Sequence, residues 1–151
     1  MNTSNVHFQQ DPVEQVLEEG LKDLWYPVCP SGFVQGSPVS LRRLGYKLAL
    51  WRDTEGKVHA LEDHCPHRGA PLSLGIILGD RIACPYHGVE VRHDGVVTRV
   101  PGSPGCKLEG SRTTRMFHVT ETNGAIFLYN ATDPHLEMPP PLRLPEQLTS
   151  P

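Results

Sequence analysis

The sequence predicts a mainly β fold, an antiparallel β-sandwich or small barrel of about eight to ten short strands preceded by one short helix. From Trp25 to Asn130, runs of four to eight β-forming residues alternate with turns that contain glycine or acidic residues. No stretch in this range has sustained helical periodicity. Three pairs of runs have the pattern of a hairpin: YKLALWR-DTEG-KVHALE, VEVR-HDG-VVTRV and FHVTE-TNG-AIFLYN.

Length and charge limit the classes of function. The 151 residues are enough for one compact core. The 14 Lys and Arg residues are scattered among 17 Asp and Glu residues, which argues against nucleic acid as a partner. The N-terminus has neither the basic start nor the apolar run of a secretory signal, and no stretch is long enough to span a membrane. We therefore expect a soluble, cytoplasmic protein, in which four cysteines are metal ligands or free thiols rather than disulfides.

The N-terminal segment contains the signals of a helix start. Asp11 can act as the N-cap, Pro12 suits the first helical position, and Glu14 places a carboxylate in the first turn. Apolar residues then recur at intervals of three and four, which predicts a short helix whose apolar stripe packs against the domain; the stripe is Val13, Val16, Leu17, Leu21 and Leu24.

The C-terminal segment differs in composition from the rest of the chain. Six of the last 18 residues are proline, so this segment cannot continue a sheet and is expected to run extended as a linker. We accordingly divide the chain into an N-terminal extension with a short helix (1–24), a β domain (25–130) and a proline-rich tail (131–151).

Two short motifs in the middle of the chain carry metal-binding side chains. Cys65 and His67 are two residues apart, so in an extended backbone both side chains would leave the same face. Cys84 and His87 are three apart, a spacing that a tight turn ending at Gly88 can bring to one centre. The two loops together offer matched thiolate and imidazole pairs.

Each cysteine is followed directly by a proline, Pro66 or Pro85. Because proline fixes the backbone φ angle, less conformational entropy is lost when the loops are ordered around a metal. Gly69 and Gly88 lie just beyond the histidines and allow the backbone to bend. Two alternatives remain open from the residues alone. Two cysteines and two histidines also suit tetrahedral zinc, although zinc sites usually have a cysteine pair followed by a histidine pair. The four residues could also be ordinary turn residues without a metal.

The run CPHRGAPLSLG followed by CPYHG resembles the Rieske domain of the ring-hydroxylating oxygenases. The resemblance extends over about residues 20–151, through WYPV, the segment from Pro38 to Leu72 and DGVVTRVPG. It implies a [2Fe-2S] cluster in which Cys65 and Cys84 bind one iron and His67 and His87 bind the other. It also implies that the domain transfers single electrons.

The loops favour the low-potential class of Rieske centre. The high-potential proteins of the bc complexes have an extra cysteine in each loop and hydroxyl groups that hydrogen-bond the cluster. Here Tyr86 replaces one such cysteine, and Val89 and Val91 replace the hydroxyl residues. Fewer donors to sulfur imply a lower reduction potential. This chain departs from the pattern of the oxygenase subunits at Val89, where those subunits usually have tryptophan.

Related oxygenase subunits continue into a catalytic domain whose mononuclear iron is held by two histidines and a carboxylate. None of the histidines outside the two motifs has the D-x2-H-x4-H spacing of that site; they are His7, His59, His64, His93, His118 and His135. We therefore expect this chain to lack the oxygenase active site. It is either a truncated subunit or a product that ends at Pro151.

Three functions follow, in decreasing order of preference. The first is the electron-receiving domain of an oxygenase, with a flavin or ferredoxin reductase as donor and a mononuclear-iron catalytic domain as acceptor. The second is a self-standing Rieske ferredoxin that carries electrons from an NAD(P)H-dependent flavin reductase to an oxygenase. The third is a binding module without redox function, in which the metal only staples the loops.

The remaining candidate residues have simpler interpretations. Arg68 and Tyr86 flank the ligands and either influence the cluster through field and hydrogen bonds or only pack in the loops. His64 is expected to be a solvated loop residue, because its side chain should point away from that of Cys65. Partly exposed surface positions are expected for His59 and His118, and buried or free thiols for Cys29 and Cys106.

Overall fold

A computed structural model describes residues 11–145, and within this range eleven strands form three antiparallel sheets. The count slightly exceeds the prediction, and the mainly β, antiparallel fold is confirmed. The strands are β1 (Trp25–Pro30), β2 (Val39–Arg43), β3 (Tyr46–Arg52), β4 (Val58–Glu62), β5 (Ile76–Leu78), β6 (Arg81–Ala83), β7 (Glu90–Arg92), β8 (Val97–Arg99), β9 (Met116–Phe117), β10 (Val119–Thr122) and β11 (Ala125–Tyr129). Single turns of 3-10 helix lie at Ser31–Phe33 and Leu72–Leu74.

The domain has two parts: a base formed by the first and second sheets, and a smaller part formed by the third sheet. The first sheet has the order β1-β11-β10 and the second the order β2-β3-β4-β9. The third sheet, β5-β6-β7-β8, is a meander of short strands inserted between β4 and β9. Both cysteine–histidine motifs lie at the start of this insertion or within it.

Strand β3 packs on two separate hydrophobic cores. Ala49 and Trp51 are buried in the core that the third sheet shares, whereas Leu48 and Leu50 are buried in the core under the first sheet. This alternation follows from the period of two residues along a strand. Because the middle of β3 is buried on both faces, residues 48–51 form a continuous apolar run. The same strand attaches the third sheet to the first two sheets.

The three predicted hairpins are present as β3–β4, β7–β8 and β10–β11. The last of them turns at Asn123 and Gly124, with φ angles of 49° and 72°. Two positive φ values are those of a type I′ turn, the tight turn that Asn-Gly favours. The second hairpin has an irregular register between Glu90 and Val91.

Helix α1 (Pro12–Glu19) begins where the sequence predicts, with Asp11 Oδ1 accepting a hydrogen bond from the backbone N–H of Val13 at 2.9 Å. It ends at Gly20, so Leu21 and Leu24 lie beyond it. The predicted packing of the stripe against the domain is wrong, since none of the helix residues is buried. None of the helices within residues 11–145 is long and apolar enough to cross a lipid bilayer.

The described part of the tail, residues 131–145, contains neither helix nor strand but is held to the domain. Asp23 accepts hydrogen bonds from both the backbone N–H and the hydroxyl of Thr132. Trp25 Nε1 donates to the carbonyl of Pro140 at 2.8 Å. The predictions that concern residues 1–10, His7 among them, and the last six residues of the tail lie outside the described residues.

Candidate metal centre

The first motif forms a closed turn rather than an extended segment. The backbone N–H of Gly69 donates to the carbonyl of Cys65, and the N–H of Cys65 donates to the carbonyl of Ala70, both at 2.8 Å. The predicted alternation along an extended backbone is therefore wrong for Cys65 and His67. The turn, together with a φ of 76° at Gly69, sets the positions of the two side chains.

The second motif has the same pair of hydrogen bonds. The N–H of Gly88 donates to the carbonyl of Cys84 at 2.9 Å, and the N–H of Cys84 donates to the carbonyl of Val89 at 2.8 Å. The predicted tight turn ending at Gly88, which has a φ of 71°, is thus present. The two loops are equivalent in backbone structure, but the histidine is the third loop residue in the first and the fourth in the second.

Strand pairing brings the loops side by side. The first loop follows β4 and leads through the 3-10 turn into β5, whereas the second loop connects β6 to β7. Ile76 on β5 pairs with Ala83 on β6, the residue directly before Cys84. The pairing of the short strands β5 and β6 therefore fixes the distance between two motifs that are far apart in sequence.

The two thiols are buried next to each other. Cys65 and Cys84 are 1% and 3% exposed and lie in the core shared with Trp51. Burial raises the pKa of the Cys65 thiol to about 11, and the neighbouring Cys84 thiol adds to this, while the backbone N–H groups of His67 and Arg68 point at the sulfur and oppose it. Without a cation the Cys65 thiol stays protonated at neutral pH. A bound metal would have to displace those protons.

The two imidazoles lie on the outside of the loops. His67 and His87 are exposed, and their ring centroids are 4.8 Å apart with the rings nearly perpendicular. The ring of Tyr86, also exposed, lies edge-on to His87 at 4.4 Å. The motifs thus present a buried sulfur pair and a solvent-facing nitrogen pair.

These four residues are the ones that could hold a metal group. Among residues 11–145, no three His, Cys, Asp or Glu side chains converge on one position suitable for a single ion. The arrangement found instead is one pair of buried cysteine sulfurs and one pair of exposed histidine rings. Arg68 is exposed, and its contact with the centre is made through its backbone N–H to Cys65.

The simpler interpretations of the other candidates hold with one exception. His64 is exposed, as expected, with its ring over Gly69. Cys29 and Cys106 are half-buried free thiols, and His118 is half-buried with a hydrogen bond to the carbonyl of Leu136. The surface position predicted for His59 is wrong. The residue is 6% exposed, and its ring lies between Trp51 and His93, with Nε2 2.7 Å from Asp53 Oδ2.

Sequence reasoning missed one residue beside the centre. Asp63 precedes Cys65 by two positions, is buried, and holds Ser73 on the far side of the first loop. Asp63 directly follows β4, and the sequence alone does not show that it is buried; a buried carboxylate needs hydrogen-bonding partners, which Ser40 and Ser73 supply.

Comparisons with known proteins identify the family of this domain. The family model of the Rieske [2Fe-2S] domain matches residues 24–118, more than half of the chain. The oxygenase subunit of vanillate O-demethylase from Pseudomonas sp. (strain HR199 / DSM 7063) is 34% identical over 108 residues, which are 72% of this chain and 30% of that protein. The oxygenase component of dicamba O-demethylase from Stenotrophomonas maltophilia is 35% identical over 119 residues, 79% of this chain and 34% of that one.

Among solved structures, the reduced complex between oxygenase and ferredoxin in carbazole 1,9a-dioxygenase superposes with a TM-score of 0.71 at 32% identity. The match covers 82% of this chain and 32% of the other. The chain therefore spans about a third of the length of each of these three proteins.

Proposed function

This chain belongs to the Rieske [2Fe-2S] domain family, and from that premise we propose that Cys65, His67, Cys84 and His87 hold its cluster and that the domain transfers single electrons. The cofactor follows from the family, whereas the ligand set rests on the two loops. The observation that carries the proposal is the pairing of two buried thiols with two exposed imidazoles on neighbouring, equivalent turns.

The donor set fits a two-iron group better than a single ion. Each iron needs two protein ligands, and the chain offers Cys65 with Cys84 on the inside and His67 with His87 on the outside. When bound, the cluster accepts and releases one electron. The exposed imidazoles keep the nitrogen side near solvent and within reach of a partner, while the core around the thiols excludes water.

The surroundings support a low reduction potential. Val89 and Val91 are fully buried apolar residues at the positions where high-potential centres have hydroxyl donors. Tyr86 stands in place of the extra loop cysteine, and its ring lies against His87. With few hydrogen-bond donors near the sulfurs, addition of an electron is less favourable, which lowers the potential.

We assign this domain to an oxygenase as its electron-receiving part. The support is that the two relatives described above are an oxygenase subunit and an oxygenase component, and that this chain matches about a third of each. The solved complex of a similar oxygenase with a ferredoxin favours a ferredoxin or a flavin reductase as donor. The acceptor would be a mononuclear iron in a catalytic domain. In this proposal residues 25–130 are the Rieske domain, 1–24 and 131–151 are its flanking segments, and the protein works in the cytoplasm.

Metal and sulfide analysis with EPR tests the ligand set. The purified protein should contain two iron and two sulfide ions per chain and give a rhombic EPR signal after reduction. Cys84→Ser and His67→Ala should lose this signal. Matched controls are Cys106→Ser, a half-buried thiol in the same core, and His64→Ala, an exposed histidine of the same loop.

The outcomes separate the alternatives. One zinc ion per chain without sulfide would refute the cluster, and iron loading by His67→Ala with an unchanged signal would refute the ligand set. A cluster that cannot be reduced and reoxidised reversibly would leave only the structural role for the metal.

A further inference from the structure

The first ligand loop is closed at its base by a buried carboxylate. The side chain of Asp63 has no exposed surface. Its Oδ1 accepts the backbone N–H of Ser73 at 2.7 Å, and its Oδ2 accepts the hydroxyl of Ser73 at 2.7 Å and that of Ser40 at 2.9 Å. The ammonium of Lys47 lies 3.8 Å from Oδ2. All of these contacts are to groups outside the loop or at its end.

The hydrogen bonds between Asp63 and Ser73 act as a clamp across the ends of the first loop, and the topology explains why that loop needs one. The second loop leaves β6 and enters β7, two strands that pair directly at Ala83 and Glu90. The first loop leaves β4 in the second sheet and enters β5 in the third sheet, so no strand pairing joins its ends. The Asp63–Ser73 contacts replace that pairing. They hold two residues that are ten apart in sequence and enclose both Cys65 and His67.

The same carboxylate is a buried negative charge on the residue two positions before the first cysteine ligand. Asp63 is two residues from Cys65, and its charge is removed from water, so solvent screens it only weakly. The side chain of Lys47 is 49% exposed, so its opposing charge is screened more strongly. A fixed negative charge near the cluster disfavours the uptake of a further electron.

We propose that Asp63 is a positioning residue for the cluster: its carboxylate closes the first ligand loop, and its buried negative charge lowers the reduction potential. This inference rests on the proposed function, because it takes the cluster to be bound by that loop. It assigns Asp63 two separable effects, one on how firmly the cluster is held and one on the potential at which it accepts an electron from its donor.

Three substitutions separate the two effects. Asp63→Asn keeps the shape and one acceptor oxygen for the N–H of Ser73, and its amide N–H groups can donate to the two serine hydroxyls in place of the second oxygen. The charge is removed, so the midpoint potential should rise. Ser73→Ala removes one hydrogen bond of the clamp and keeps the charge, so a chelator should extract the iron several-fold faster with a much smaller change in potential. Lys47→Met removes the opposing charge, so the potential should fall while the rate of iron loss stays the same. Glu14→Gln, an exposed charge on α1, is the control for net charge.

The measurements are a mediated redox titration followed by EPR and the rate of iron extraction from the holoprotein. If Asp63→Asn has the potential of Glu14→Gln, the inference is overturned. If Asp63→Asn does not retain the cluster, the clamp is supported and Lys47→Met decides the charge effect, which an unchanged potential would refute. A wild-type protein with no reversible one-electron couple would instead refute the proposed function, and this inference with it.

Discussion

Arg52 and Glu121 form a two-pronged ion pair, in which Nη1 lies 2.7 Å from Oε2 and Nη2 lies 2.7 Å from Oε1. Arg52 belongs to β3 of the second sheet and Glu121 to β10 of the first, so the pair joins the two sheets of the base. The guanidinium also donates to the carbonyls of Ser31 and Val34. The pair therefore orders the segment that connects β1 to β2 as well.

Glu121→Gln should reduce the stability of the domain in a pH-dependent way. The hydrogen bonds from Arg52 lower the pKa of Glu121 from 4.5 to about 2. Because the folded-state pKa is lowered, the stabilisation is complete above about pH 5 and is lost as the pH falls towards 2. We expect about 1 kcal/mol at neutral pH, since both side chains are partly exposed and solvent screens the pair.

Urea unfolding at a series of pH values measures this difference. The wild-type and Glu121→Gln curves should converge at acidic pH. Glu55→Gln, an exposed carboxylate at the β3–β4 turn, is the control and should behave like the wild type. A difference between wild type and Glu121→Gln that stays constant from pH 7 to about pH 3 would contradict an ionic origin.

His59→Gln should remove part of the acid sensitivity of the fold. Burial lowers the pKa of His59 below 6.5, and the hydrogen bond to Asp53 offsets this only in part. A base whose pKa is lower in the folded state contributes stability above its unfolded pKa, and this is lost as the pH falls below about 6.5. The wild type should therefore lose more stability than His59→Gln between pH 7 and pH 5.

Thermal or urea unfolding of the holoprotein at both pH values provides the measurement. His135→Gln, an exposed histidine of the tail, is the matched control and should retain the wild-type pH dependence. Equal acid sensitivity in wild type and His59→Gln would count against the buried neutral imidazole.

Short-range patterns predicted the hairpins and the turn of the second cysteine–histidine motif well. Asn123 and Gly124 both adopt positive φ, which is a local property of these two residue types. The spacing of Cys84 and His87 likewise predicted a turn that Gly88 closes. In each case the residues that determine the geometry lie within a few positions of one another.

Features that depend on distant contacts were not predictable in the same way. His59 has the sequence context of a surface strand residue, but His93 in the turn between β7 and β8 covers it. Asp63 becomes a buried clamp only because Ser40 on β2 and Ser73 meet it. The stripe on α1 predicts burial, yet Leu17 is 79% exposed, since periodicity identifies an apolar face and not what it packs on.

Gly69→Ala should weaken cluster binding more than a comparable change elsewhere. The φ of 76° at Gly69 is unfavourable for alanine by about 1–2 kcal/mol. In addition, a Cβ there would lie 2.9 Å from Cε1 of His64, so the histidine ring would have to move. We expect a lower stability and a several-fold faster loss of iron to a chelator.

Gly56→Ala provides the matched control for this change. Gly56 has a φ of 81° but no atom within 4 Å of the added Cβ, so only the backbone cost applies. The double variant His64→Ala/Gly69→Ala should recover the part of the effect that comes from the ring. Equal iron loss in Gly56→Ala and Gly69→Ala would show that the loop tolerates the added methyl group.

Trp25→Phe should release the proline-rich tail from the domain. Trp25 Nε1 donates to the carbonyl of Pro140, and the indole ring packs on Tyr129 with centroids 5.3 Å apart. Phenylalanine keeps an aromatic ring at this position but loses the donor, at a cost of about 1 kcal/mol, or roughly a fivefold change in the attached population. Tryptic cleavage after the exposed Arg143 should accelerate by about that factor, while the unfolding midpoint of the domain stays nearly constant. An unchanged cleavage rate would mean that the tail is held by contacts other than this hydrogen bond.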